Sequence, residues 1–151
     1  YVNPKISFVI IGSIDKNNPS SISSEYLHQI IDNNPIEYHE HSDEVINYLK
    51  DAQCLILPSY REGSSRIIME AACLGKPVIT YNVPGCNNLV QNNYNGYLVE
   101  KGNIQDLANT ILKFNNLQSI QKNKMGKLGR KFIENNYKVD IVVKKYIDVL
   151  K

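Results

Sequence analysis

The sequence has no apolar run approaching the ~20 residues that a membrane-spanning helix needs, so no bilayer-crossing helix organises the chain. It has no signal-peptide pattern, and it opens on Tyr1 rather than methionine; the expectation is a piece of a longer product. It has only three cysteines, Cys54, Cys73 and Cys86. Their odd number and lack of zinc spacing exclude a disulfide scaffold and a structural zinc site. Cys54 and Cys73 fall on expected core faces, and all three read as reduced thiols of a cytoplasmic protein. There is no internal repeat, and no low-complexity tract beyond frequent Asn and Lys. His39 and His41 alternate along one strand, but a strand end beside a loop explains them better than a metal site. The C-terminal lysines have no interleaved stacking aromatics, which argues against nucleic-acid binding.

What is present is ordinary for a globular protein: 151 residues, 42% hydrophobic and 21% charged. A chain of this length buries about 68–70% of its unfolded surface, enough for one domain with a core. The net charge of +2 hides an asymmetry. Residues 1–112 carry seven Lys/Arg against twelve Asp/Glu, a net of −5, and residues 113–151 carry ten against three, a net of +7. The basic third could face anionic lipid or another domain. Its lysines are expected to spread over two or three solvated helix faces, without strong membrane binding by this chain alone.

Strand and helix patterns alternate. Lys5 to Ile11 (KISFVII) reads as a buried strand ended by Gly12, and Asp15 to Ser21 as a loop. Ile22 to Asn33 reads as a helix with Ile22, Tyr26, Leu27, Ile30 and Ile31 inward. Ile36 to His39 is a short strand. Asp43 to Ala52 is a short helix with Val45, Ile46 and Leu49 on its apolar face. Gly85 to Gln91 reads as a short helix and Gly96 to Glu100 as the last strand. Asn103 caps a helix to Phe114, with Leu107, Ala108, Ile111 and Leu112 inward. Two helices follow, over 117–135 and 138–150. The last carries an apolar stripe of Val139, Val142, Val143, Tyr146, Ile147 and Leu150. Such alternation predicts an α/β fold, a parallel sheet with helices on both faces.

The rest is organised around Cys54 to Tyr81, CLILPSYREGSSRIIMEAACLGKPVITY. Cys54 to Leu57 is a short strand stopped by Pro58, followed by a polar loop from Ser59 to Ser64. A helix runs from Ser65 to Leu74, ended by Gly75, and Pro77 to Tyr81 is a second strand. The loop therefore lies at the carboxyl end of a strand, where open α/β sheets bind ligands. Gly63 allows close backbone approach. The amides of Ser64, Ser65 and Arg66 would favour a phosphate at the helix start. Glu62 and Glu70 flank that turn, and a carboxylate can accept two hydrogen bonds from a vicinal diol. Together these parts suit a sugar nucleotide. The structural alternative is that Ser64 or Ser65 merely caps the helix and Glu62 is a solvated acid.

The spacing of Glu62 and Glu70 in EGSSRIIMEA, after LPSYR and before LGKPVI, resembles the E-x7-E signature of retaining glycosyltransferases of family 4. Val83-Pro84-Gly85-Cys86, Asn95-Gly96-Tyr97-Leu98-Val99 and Asn103 to Ala108 agree with it, and the resemblance covers roughly residues 5 to 150. The LPSYREG and VPGC wording looks most like the bacterial branch that builds surface glycans on polyprenyl diphosphate carriers.

The resemblance implies a Rossmann-like domain, the C-terminal, donor-binding half of a GT-B fold, lacking its first strand–helix unit. The lacking loop carries an Arg and a Lys that bind the donor diphosphate, and neither Arg61 nor Arg66 stands at those positions. By the same resemblance the lacking strand is central in the sheet, and the terminal helix packs on an N-terminal acceptor-binding domain. It further implies that Glu70 holds the ribose hydroxyls and that Glu62 acts at the donor sugar near its anomeric carbon. The amides of Ser64, Ser65 and Arg66 meet the diphosphate, and His41 and Ser42 border the nucleobase. The donor is a nucleotide sugar, most simply a UDP-sugar, and no metal or other cofactor is expected. A cytoplasmic location follows, with a peripheral membrane contact of the intact enzyme left open. Without an acceptor domain the chain alone is expected to transfer no sugar. Two other readings stay open: a non-catalytic nucleotide-binding or interaction module, and a sugar-nucleotide epimerase. Glu70 itself is expected beside a buried stripe with little water around it. There it serves either as the diol acceptor or as a structural acid bonded to a backbone N–H or a side chain of the next loop.

Overall fold

A computed structural model describes residues 6–15, 17–19 and 21–150. In order, the elements are β1 (Phe8–Ile11), α1 (Ser24–Asp32), β2 (Ile36–His39), α2 (Val45–Asp51), β3 (Leu55–Leu57) and α3 (Arg66–Cys73). There follow β4 (Val78–Tyr81), β5 (Gly96–Val99), α4 (Ile104–Asn115), α5 (Ser119–Asn136) and α6 (Val139–Val149). The fold is α/β, as the alternating pattern predicts. Its strands form two parallel sheets, β1–β2 and β3–β4–β5, rather than one. The chain divides into two compact units, 1–48 and 49–151, with the division inside α2.

In the first unit β1 pairs with β2 in register from Phe8 opposite Ile36 to Ile11 opposite His39, and α1 makes the crossover. Ser23 caps α1 by accepting from the Tyr26 amide at 3.2 Å, which ends the polar loop and starts the helix. Leu27 is the buried side chain of α1. The expected burial of β1 is corrected. Val9 is 46% exposed and Ile10 39% exposed. Neighbouring strand residues point to opposite faces, so neither face of β1 is fully covered. Ile22 and Tyr26, also expected inward, are exposed, Ile22 lying before the start of α1. Lys5, the expected first residue of that strand, lies outside the described residues.

The second unit holds the core. In the β3–β4–β5 sheet, Leu55 lies opposite Val78 and Val78 opposite Gly96. All four residues of β4 are buried, so both sheet faces are covered at the central strand. From α3, Ile68, Ala71 and Ala72 are buried, Ala72 beside α5. Val83, Cys86, Leu89 and Val90 close one end of it. The small residues of α5 let it approach closely: a side chain on Gly126 would run into the carbonyl of Gly75, and one on Gly129 would reach Asn95 and Ala72. Asn95 is itself buried and bonded twice, accepting from the Gln91 amide at 2.6 Å and donating to the Leu89 carbonyl at 3.0 Å. Lys76 donates to the carbonyls of Lys50 and Ala52 at 2.6 and 2.8 Å, closing the C-terminal end of α2.

Three further expectations change. Residues 84–89 form turns instead of a helix. Gly85 has φ +86°, a left-handed conformation that cannot open a right-handed helix. In α4 the buried side chain is Phe114, whereas Ala108 and Leu112 are exposed. The apolar stripe of α6 is only slightly covered among the described residues: Val142 is half-buried, no residue of that helix is fully buried, and Val139, Tyr146 and Leu150 are at least 70% exposed.

Candidate functional site

The site is built at the carboxyl ends of β3 and β4, within the second unit. β3 delivers the chain into Pro58 to Ser65, and α3 returns it to β4. Thr80, wholly buried near the end of β4, donates from Oγ1 to the Leu57 carbonyl at 2.8 Å and ties the two strand ends together. Tyr60, largely exposed in the loop, stands edge-on to buried Tyr81, with ring centroids 5.6 Å apart.

Of the expected site residues, Glu62, Gly63, Ser64, Ser65, Arg66 and Glu70 come together around the start of α3. Glu62 is half-buried, and its Oε1 accepts from Ser59 Oγ at 2.7 Å. It is therefore held, unlike the solvated acid of the structural alternative. Gly63 has open space where a side chain would stand and an unstrained backbone, so nothing in the fold itself requires glycine there. Ser64 is exposed.

Ser65 occupies the N-cap of α3 but makes no capping bond. Its Oγ is buried without a hydrogen-bond partner, and an orphaned buried hydroxyl is unusual. The expectation that its amide faces a phosphate is corrected. That N–H donates to the Gly85 carbonyl at 3.1 Å and is occupied. The first carbonyl bond of the helix is Met69 N–H to Ser65 C=O at 3.3 Å, so the opening turn keeps its uncapped amides.

Glu70 is not enclosed as expected: its side chain is 30% exposed. Its partner is neither a backbone amide nor the next loop. Arg66, one turn earlier, donates from Nε to Glu70 Oε1 at 2.9 Å.

Two supports of this loop were not singled out from the sequence. One is Ser59, three residues before Glu62. The other is Gly85, where an added Cβ would lie 2.5 Å from the carbonyl oxygens of both Glu62 and Gly63. The turn at Val83 to Cys86 is thus packed directly under the acidic loop. The wholly buried thiol of Cys86 is pushed up, chiefly by burial. Burial pushes the Cys54 thiol up to about 12, in keeping with its expected core face. Cys73 is exposed instead, because the inward side of α3 is taken by Ile68, Ala71 and Ala72.

His41 and Ser42 belong to the first unit. His41 is exposed and pairs with Asp43 at 3.1 Å, while Ser42 Oγ accepts from the Glu44 amide at 3.0 Å. His39, at the end of β2, pairs with Glu37 at 2.6 Å. Among the described residues no group of three or more His, Cys, Asp or Glu is placed to hold a metal ion. No described helix is long and apolar enough to cross a membrane.

Residues 2–139 match the family model described as glycosyl transferases group 1. A capsular polysaccharide biosynthesis glycosyltransferase of Staphylococcus aureus, CapM, is 33% identical over 91% of this chain and 35% of its own length. A Campylobacter jejuni N,N'-diacetylbacillosaminyl-diphospho-undecaprenol alpha-1,3-N-acetylgalactosaminyltransferase is 30% identical over 71% of this chain and 27% of its own. The solved structure of Anabaena HepE in complex with UDP superimposes with a TM-score of 0.84 at 21% identity, over 98% of this chain and 41% of HepE. The likeness in structure shows the GT-B type of fold. The chain spans about a third or less of the length of these curated relatives. With a family model matched over nearly its whole length, the chain belongs to the glycosyl transferases group 1 family.

Proposed function

We propose that this chain is the donor-binding part of a retaining glycosyltransferase that moves a sugar from a UDP-sugar to a lipid-linked or surface-glycan acceptor. The observation that carries the proposal is the uncapped start of α3 with one carboxylate on either side of it, Glu62 before the helix and Glu70 within it. The names of the relatives support the substrate class: one acts on an undecaprenol diphosphate-linked acceptor and another in capsule synthesis.

In this reading Glu70 accepts the ribose hydroxyls. Glu62, held by Ser59, faces the donor sugar and stabilises positive charge developing near the anomeric carbon, the kind of fixed charge that contributes most in a sheltered site. The amides of Ser64 and Arg66 receive the diphosphate, the Ser65 amide being engaged elsewhere, and the unpartnered Ser65 hydroxyl is a further donor in the same turn. No metal takes part. An N-terminal domain supplies the acceptor site, and the enzyme works in the cytoplasm, in peripheral contact with the membrane that holds a lipid-linked acceptor. A hexosyl or N-acetylhexosaminyl group is the transferred unit.

The test is Glu70→Gln, which keeps the shape and one acceptor but loses charge-assisted hydrogen bonds worth about 1.5–3 kcal/mol each. Titration calorimetry should show UDP affinity falling roughly 10- to 100-fold, with the melting temperature steady or slightly higher. Equal affinities with a lower melting point would make Glu70 a structural acid. Retention is tested by the anomeric configuration of the product of an enzyme carrying this domain.

A further inference from the structure

Arg66 stands where helix physics disfavours it. It is the first residue of α3, whose opening turn contains no acidic side chain. The positive end of the helix dipole favours an acid there and opposes a cation. Its ion pair with Glu70 does little to offset this, because a base placed N-terminal to an acid at this spacing is the less favourable orientation. A residue that breaks a local rule without a local gain points to a role outside the fold. The pair itself is unequal: the Arg66 side chain is 88% exposed and that of Glu70 only 30%. The guanidinium thus lies on the solvent side of a recessed carboxylate. It engages Glu70 through Nε, one of the five N–H donors of the group, and the terminal fork remains suited to a phosphate.

We propose that Arg66 is a displaceable counter-ion. It holds Glu70 in the nucleotide-free protein, then transfers to the phosphates of a nucleoside diphosphate as the ribose hydroxyls take Glu70. This rests on the reading of Glu70 as the ribose acceptor. The exchange needs no bond-making beyond hydrogen bonds. It makes the phosphates a condition for good ribose binding: a nucleoside without phosphates must break the Arg66–Glu70 pair and offers the guanidinium no anion in return. Arg66 then discriminates nucleotide from nucleoside, in addition to the amides of the same turn.

The experiment titrates UDP and uridine separately into the 151-residue wild type, Arg66→Gln, Arg66→Lys and Glu70→Gln. The Arg66 Nε–Hε resonance is followed by NMR. The expected result is about a tenfold loss of UDP affinity in Arg66→Gln, with uridine binding unchanged or tighter. Arg66→Lys should partly restore UDP binding. At equal occupancy UDP should move the Nε–Hε signal to a phosphate-bonded position, whereas uridine, which breaks the pair and supplies no anion, should move it to that of a solvated guanidinium. If Arg66→Gln weakens both ligands equally, or neither, while Glu70→Gln weakens both, the exchange is wrong and the ribose reading stands. If Glu70→Gln alters neither ligand, the ribose reading fails and the exchange with it. Absence of saturable UDP binding by the wild type overturns both.

Discussion

Ser59 Oγ donates a 2.7 Å hydrogen bond to Glu62 Oε1, within the loop that leaves β3. A loop carboxylate in free solution samples several rotamers, whereas this one is fixed by a neighbour three residues back. Ser59→Ala removes one hydrogen bond to a charged group, worth about 1.5–3 kcal/mol at most in such a setting. In an enzyme carrying this domain, kcat should fall about tenfold or more, with a drop in melting temperature of up to about 12 °C if the bond carries its full worth. Ser59→Thr keeps the hydroxyl and should recover most of the loss. Steady-state kinetics of the two variants check this. Unchanged kcat in Ser59→Ala would mean that Glu62 needs no such restraint.

Gly63 and Gly85 make opposite demands. A methyl group at Gly85 would enter between two backbone carbonyls, at a positive φ of 86°. Overpacking costs about 1–3 kcal/mol, and the left-handed backbone adds about 1–2 kcal/mol. At about 2–4 °C per kcal/mol for a chain of this size, Gly85→Ala should melt roughly 5–15 °C lower. A methyl group at Gly63 meets nothing within 4 Å, so Gly63→Ala should melt within about 2 °C of wild type. If a diphosphate approaches the backbone there, the same variant should nevertheless bind UDP less tightly. Thermal melts and titrations of both variants separate packing from ligand approach.

Gly126 and Gly129 offer the same kind of contrast on α5. Gly126 lies so close to the Gly75 carbonyl that any side chain collides with backbone, whereas Gly129 leaves 3.4 Å to the nearest side-chain atom, Asn95 Cβ. Replacement by Ala gains about 0.8–1.0 kcal/mol of helix propensity at either site. Gly126→Ala should still be destabilised by at least about 2 kcal/mol, and Gly129→Ala should be neutral or slightly stabilised. Urea denaturation midpoints at matched slopes measure both.

The cysteines predict a pH and labelling pattern. Cys54 has its thiol raised by burial from an ordinary 9.0 to about 12. Because the folded value lies above the unfolded one, the stability it contributes is fully present below about pH 9. That stability is lost as the pH climbs from about 9 towards 12. Wild type should therefore lose stability over that range more steeply than Cys54→Ala, as read by melting temperatures at a series of pH values. Near pH 8 a thiol reagent should label exposed Cys73 at once, half-buried Cys54 more slowly, and buried Cys86 only on unfolding.

Where an apolar run crosses a covered sheet, its sequence is sufficient. Val78–Tyr81 reads as buried and is buried at every position. Phe8–Ile11 has the same kind of composition, yet it belongs to a two-stranded sheet whose faces are only partly covered. Hydrophobicity records what a strand can bury and does not record how many layers lie over it. Periodicity fails in α4 for a related reason: apolar residues occur on more than one side, and the neighbours select Phe114 over Leu112. Pro84-Gly85 resembles a helix start until the positive φ at Gly85 is known. At the site, the one-turn spacing of Arg66 and Glu70 and the Ser59-x-x-Glu62 spacing are both visible in the sequence. That these groups bond to each other depends on rotamers and loop geometry, which residue types alone leave free.

The largely uncovered face of α6 has a consequence for cooperativity. Eleven residues are too few to sustain a helix in water by backbone bonding alone, and α6 buries no side chain. Its amide hydrogens should therefore exchange with solvent orders of magnitude faster than those of β4, whose opening requires disruption of the whole covered sheet. A deuterium pulse short enough to spare β4 would already saturate α6. The melting curve of the core should be nearly indifferent to a proline placed at Val143.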